Sequence, residues 1–245
     1  MSGTRSPTRR ARAINRIALL SHGVHGGPGV AGQHAEALRG EFPDREIRVG
    51  CLRGTPGIEE ATCGFDEHDV VVPVLMARGY IHDAIRSRLP PALQTHMTRP
   101  LGEHPRLPQI VRDRALTLAG SQTQSNLLLI GHGTTRHQGA DRIVLEHAGI
   151  ARTWSFAQVA MAFLDAPPFL ADVTARLTRR PTVAIGYFID PGPHGIDDVI
   201  AGLANLGADM RYSGPIGMSR QMVPLLAELV ESLAEPVAGG ISAAS

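Results

Sequence analysis

Four histidines stand at recurring positions in this chain, and imidazole is the side chain best suited both to hold a borderline divalent metal ion and to move protons near neutral pH. Apolar runs end in a His-Gly pair at His22-Gly23 and again at His132-Gly133. A second run in each half leads to a glycine followed closely by histidine, at Gly79-Tyr80-Ile81-His82 and at Gly192-Pro193-His194. A third position recurs at Arg53 and Asp165, each 29 residues before the second histidine of its half and each soon followed by proline. The second half thus offers two imidazoles and a carboxylate, the first two imidazoles and a guanidinium. A carboxylate can help hold a cation or accept protons, whereas an arginine repels a metal and attracts carboxylates.

The recurrence reaches beyond single residues. A Pro-Leu-Gly at Pro100 is matched by Pro215-Ile216-Gly217, so paired landmarks lie 110, 113 and 115 positions apart. Separations that drift by only a few residues predict a duplicated unit of about 110 residues, far longer than a solenoid repeat. Strand-length apolar runs alternate with helical patterns, as in βα units around a parallel sheet. Strands are expected near 17–21, 46–52, 70–76 and 95–98, and in the second half near 126–131, 157–164, 182–189 and 209–213. Helices are expected near 32–41, 56–62, 80–92, 106–118, 137–148, 167–178, 195–206 and 218–233. The reading divides the chain into a disordered basic tail (1–16), an N-terminal domain (17–118), a linker (119–125), a C-terminal domain (126–235) and a flexible tail (236–245). In an open parallel sheet, functional groups gather beyond the carboxyl ends of the strands. The paired motifs sit at those ends.

Composition narrows the function. With 43% apolar and 19% charged residues and a net charge of +1, the chain has material for two cores and no electrostatic footprint for nucleic acid. All 24 basic residues are arginine, which removes a P-loop, a kinase lysine and Schiff-base chemistry. Cys51 and Cys63 fit neither a disulfide framework nor a four-ligand zinc site and read as free thiols of a reducing compartment. No signal peptide or membrane span is expected, so the location is read as cytoplasmic. His34, His68, His96, His104, His137 and His147 recur in no motif and read as surface or hydrogen-bonded residues. His25-Gly26-Gly27-Pro28-Gly29 looks like a hydrolase oxyanion loop, but the chain lacks a Gly-x-Ser-x-Gly elbow. It reads as a Gly-rich loop able to fold over a ligand.

Taken together, the His-Gly pairs, the Gly-x-His motif trailed by Asp197-Asp198, the Phe163-Leu164-Asp165-Ala166-Pro167 segment and the closing Pro-Leu-Gly resemble the class II tetrapyrrole chelatases of the CbiX/SirB sirohydrochlorin chelatase type, over about residues 17–233. The resemblance implies two α/β domains, each a four-stranded parallel sheet flanked by helices, with a cleft between them. It implies ATP-independent insertion of Co²⁺ or Fe²⁺, with Ni²⁺ a further option, into sirohydrochlorin on the way to cobalamin or sirohaem, and no nucleotide. The family's metal-site and catalytic histidines map onto His22, His82, His132 and His194, and its acid onto Asp165. A macrocycle fringed with carboxylates suits a guanidinium-lined cleft, for which Arg53, Arg78, Arg86, Arg136 and Arg142 are the candidates. One extra residue between Gly79 and His82, and Arg53 at the acidic position, predict that the halves do not hold metal equally. The duplicated form implies a monomer. The rival readings are a non-catalytic metal or tetrapyrrole-binding protein and a chelatase-fold enzyme acting on another substrate.

Overall fold

The computed structural model of the protein describes residues 14–134 and 139–234. Arg136, His137, most of the expected basic tail and the expected flexible tail lie outside the described residues.

Two all-parallel sheets form. The first orders β2(Glu46–Cys51), β1(Arg16–Ser21) and β3(Val70–Pro73); the second orders β5(Gln158–Phe163), β4(Asn126–Gly131), β6(Thr182–Gly186) and β7(Met210–Pro215). The central strands are continuous apolar runs because helices cover both their faces. Successive side chains alternate between those faces. Ile17 and Leu19 of β1, with Leu127 and Leu129 of β4, enter one core shared by both halves. Ala18 and Leu20 face a separate outer core, and Leu128 and Ile130 face another.

Helices α1(Val30–Glu41), α5(Leu107–Leu118), α6(Gly139–Ala151) and α9(Met222–Ala234) contribute to the shared core. On the outer faces lie α2(Ile58–Ala61), α3(Tyr80–Ser87) and α4(Pro91–Gln94) in the first half, and α7(Leu170–Thr174) and α8(Asp197–Leu203) in the second. The closing helix of each repeat packs on the opposite sheet. α5 touches β6 and β7, while α9 touches β3 and α1. The crossing is fastened by Arg211 Nη1, which donates to Leu118 O at 2.7 Å, and by Glu228 of α9, which meets Arg106 and lies 3.4 Å from His104 Nε2.

The structure departs from the sequence reading in three places. The first sheet has three strands instead of four, and the expected strand at 95–98 contributes a single parallel bridge between Val71 and Met97. Only a few residues separate the end of α4 from Pro100, which has no N–H to extend a ladder. The helix expected at 80–92 breaks into α3 and α4 at Pro90-Pro91 for the same reason. Residues 14–16, expected in the tail, belong to the fold. Ile14 is buried, Asn15 N donates to His68 O, and Arg16 opens β1 with its guanidinium on Asp69, 2.7 Å from Nη2 to Oδ2.

Candidate active site

The loops after β1, β2, β4, β5 and β6 meet at the carboxyl ends of the two sheets, and matched hydrogen bonds show how closely they repeat. Arg53 N donates to His22 O at 2.9 Å, and Asp165 N to His132 O at 2.8 Å. Val74 N donates to Leu20 O, and Tyr187 N to Ile130 O, both at 2.7 Å. The His-Gly pair has a backbone cause. Gly23 and Gly133 take φ values of 96° and 80°, and an added Cβ would strike Arg53 O in one half and Phe163 and Ala166 in the other. Glycine is the residue that admits this conformation and this approach, and it turns each preceding histidine outward from its strand end.

A cleft of about 610 Å³ lies there, lined by His22, Arg53, His132, Tyr187, Asp190 and His194 among others. That is an ordinary size for a cofactor-sized ligand. A smaller hollow of about 310 Å³ shares its Leu75, Met76 and His132 and adds Arg78, Tyr80 and Ile81.

Two imidazoles meet in the cleft. His132 follows β4 and His194 lies in the 3-10 turn Pro193–Gly195 after β6, so they flank the point where strand order reverses. Their ring centroids are 4.6 Å apart with planes at 69°. His132 Nδ1 lies 2.8 Å from Gly133 O and 3.5 Å from Asp165 Oδ2. A carbonyl only accepts, so Nδ1 donates and Nε2 is the nitrogen left for a ligand. His194 Nδ1 is held in the same manner by Asp198 Oδ2 at 2.8 Å. Histidines that ligate metals are oriented this way, the second nitrogen being fixed by a carbonyl or carboxylate. His132, Asp165, His194 and Asp198 all remain substantially open to solvent. Among the described residues no three His, Cys, Asp or Glu side chains enclose an ion position.

The first half is arranged differently. His22 lines the cleft beside Arg53, and burial together with that guanidinium holds its imidazole below the usual histidine range. His82 does not line the cleft. Asp83 N donates to Gly79 O and Ile196 N to Gly192 O, which sets Gly79 on Gly192 and Ile81 on His194. The extra residue carries His82 one position, about 100°, further round the helix. It is buried, with Nδ1 3.1 Å from Asp83 Oδ1. Of the candidate arginines, Arg53 lines the cleft and Arg78 the adjoining hollow, where it meets Glu103. Arg86 lies on α3 away from both sets of lining residues, and Arg142 pairs with Glu146 on the exposed face of α6.

Asp190 is the lining residue that sequence reasoning missed. It follows the apolar run of β6, and its Oδ1 accepts the N–H of Val30, the first residue of α1, at 2.7 Å. An added Cβ at Gly29 would strike the same oxygen. Asp190 thereby ties the second half to the Gly-rich loop of the first, and burial raises its carboxyl above the usual carboxylate range against the pull of Val30 N–H, His22 and His34. A visible signal existed, since an acid with a proline close behind it at a strand end is also the pattern of Asp165-Ala166-Pro167. Tyr187 sits in the cleft wall with its hydroxyl on the buried His147, 3.0 Å from Nδ1.

These features have counterparts among known proteins. The probable sirohydrochlorin cobaltochelatase of Halobacterium salinarum is 22% identical over 281 residues, covering 94% of this chain and 95% of that one. SirB from Bacillus subtilis, solved with Fe³⁺, superposes with a TM-score of 0.73 at 19% identity, covering 90% of this chain and 96% of that one. DR2241 of Deinococcus radiodurans, a multi-domain protein with structural similarity to chelatases, gives a TM-score of 0.70 at 21% identity over 89% of this chain, which spans 54% of that longer one. The sequence model of the CbiX family matches twice, over residues 16–118 and 126–233. The two matches cover the repeats whose strand-end hydrogen bonds coincide, and the chain belongs to the CbiX family.

Proposed function

We propose that this protein inserts a divalent metal ion, Co²⁺ or Fe²⁺, into sirohydrochlorin without nucleotide, and that the ion is handed over from the second half of the chain. The observation that carries the reading is the edge-to-face pair of His132 and His194 on one wall of the cleft, each with Nδ1 engaged and Nε2 left for an ion, and Asp165 3.5 Å from His132. Membership of the CbiX family supports it, as do the name of the Halobacterium relative and the iron in SirB.

The metal here is a substrate, so the site must hold it weakly. A closed set of four ligands retains its ion, whereas two imidazoles with a nearby carboxylate leave open positions for the incoming ring nitrogens. As the ion enters, the macrocycle loses two pyrrole protons. His22, whose imidazole burial and Arg53 hold below the usual histidine range, faces the same space as an acceptor for one of them, and the other passes to solvent. The macrocycle lies in the cleft with its face towards the histidine pair. The protein works as a single chain in the cytoplasm. Co²⁺ and Fe²⁺ share these ligands, and in the cell availability selects between them.

An anaerobic absorbance assay with sirohydrochlorin and either metal tests the reading. His132→Ala/His194→Ala is expected to lower the enzyme-dependent rate at least about hundredfold, the scale of losing an essential group at a reacting centre. His82→Gln, altering a histidine buried outside the cleft, is expected to stay within a few-fold of wild type. No acceleration over the uncatalysed rate with either metal would sink the proposal.

A further inference from the structure

The duplicated half-sites have opposite charge chemistry. The backbone hydrogen bonds that place Arg53 on His22 O and Asp165 on His132 O make these two side chains structural counterparts. In the second half the position is a carboxylate 3.5 Å from His132, whose exposed ring meets that of His194. In the first it is a guanidinium next to one imidazole, because the counterpart of His194 is Ile81 and His82 is buried on Asp83. A cation placed in the first half-site would face the fixed positive charge of Arg53 and a single nitrogen ligand, His22, while the Asp190 carboxylate in the same wall is already engaged by Val30 N–H. The guanidinium of Arg53 is exposed at the cleft, and no carboxylate pairs with it among the described residues. Other arginines near the site already have acidic partners, Arg78 with Glu103 and Arg88 with Glu59.

We propose that the first half-site is an anion-docking subsite in which Arg53 takes one peripheral carboxylate of the macrocycle, leaving the second half-site alone to carry the metal. This rests on the chelatase reading and adds an orientation to it. A planar fork suits a carboxylate through two parallel N–H···O bonds, a geometry that an ammonium group does not reproduce. With one acidic arm fixed at Arg53 and the ring centre over His132 and His194, the macrocycle has one preferred rotation in the cleft. The duplication thereby supplies a grip and a metal port from one ancestral motif, and each chain binds a single ion.

The test measures binding of metal-free sirohydrochlorin by its absorbance change, KM and kcat for metallation, and Co²⁺ stoichiometry by equilibrium dialysis. Arg53→Ala is expected to raise Kd and KM about tenfold, equal to about 1.4 kcal/mol, while kcat, measured at about pH 8 where His22 is neutral with or without the guanidinium, stays within about twofold. Arg53→Lys should recover part of that loss and Arg53→Glu should deepen it, because the effect follows charge. Esterifying the macrocycle's carboxylates should abolish the difference between wild type and Arg53→Ala. A difference that persists on the ester, unchanged binding by Arg53→Ala, or a second Co²⁺ that disappears in His22→Ala, would each overturn the proposal. A wild-type protein that binds the macrocycle through Arg53 yet never metallates it would refute the chelatase reading and leave the docking subsite standing.

Discussion

His147 offers a quantitative test of how the cleft wall is built. It lies on α6, buried, with Nδ1 3.0 Å from the hydroxyl of Tyr187 and the two rings 5.6 Å apart at 61°. Loss of solvation is the main cause that lowers its pKa from 6.5 to about 4, against a smaller opposing pull from Glu146. The folded protein therefore holds His147 neutral where the unfolded chain would protonate it. The resulting stability is fully present above about pH 6.5 and is lost as pH falls through the folded pKa near 4. Each pH unit of difference is worth about 1.4 kcal/mol, so the loss reaches about 3 kcal/mol by pH 4. His147→Gln keeps a hydrogen-bonding group for Tyr187 and cannot titrate. Urea unfolding of both proteins across this range isolates the effect, since His22, His34 and His104, whose pKa values are also lowered, are common to both and cancel. The wild-type free energy should fall relative to the variant by about 3 kcal/mol between pH 7 and pH 4. Parallel curves would show that His147 is solvated or charged in the native state and would refute the packing described for the cleft wall.

Two further outcomes test the joints that hold the site. Asp190→Ala removes the acceptor at the start of α1 and should cost about 1 kcal/mol, with Asp190→Asn recovering most of it; thermal unfolding of the two variants checks this. Asp69 is fully buried beneath Arg16 and also accepts from Asp66 N, so Asp69→Ala leaves the guanidinium without its buried partner. A loss of about 3 kcal/mol in urea unfolding is expected, and a change below about 1 kcal/mol would show the pair to be an ordinary surface contact.

The sequence alone determined what is periodic or local. The continuous apolar runs of β1 and β4 admit little but buried parallel strands, and the nearly equal separations of His22 from His132 and of Arg53 from Asp165 identified counterparts that backbone hydrogen bonds then matched. The glycine after each histidine marked a backbone turn that a side chain could not make. Tertiary structure decided what depends on angle and on distant partners. The residue inserted before His82 is legible in the sequence, but only the helix shows its effect, which is to turn the side chain from the cleft to the interior. The exchange of α5 and α9 between sheets follows from which apolar faces meet, and a linear pattern carries no partner for a face. Asp190 became part of the site through a helix N-terminus 160 residues away in sequence, because an unsatisfied N–H at Val30 and a carboxylate at a strand end come together when the two sheets share one core.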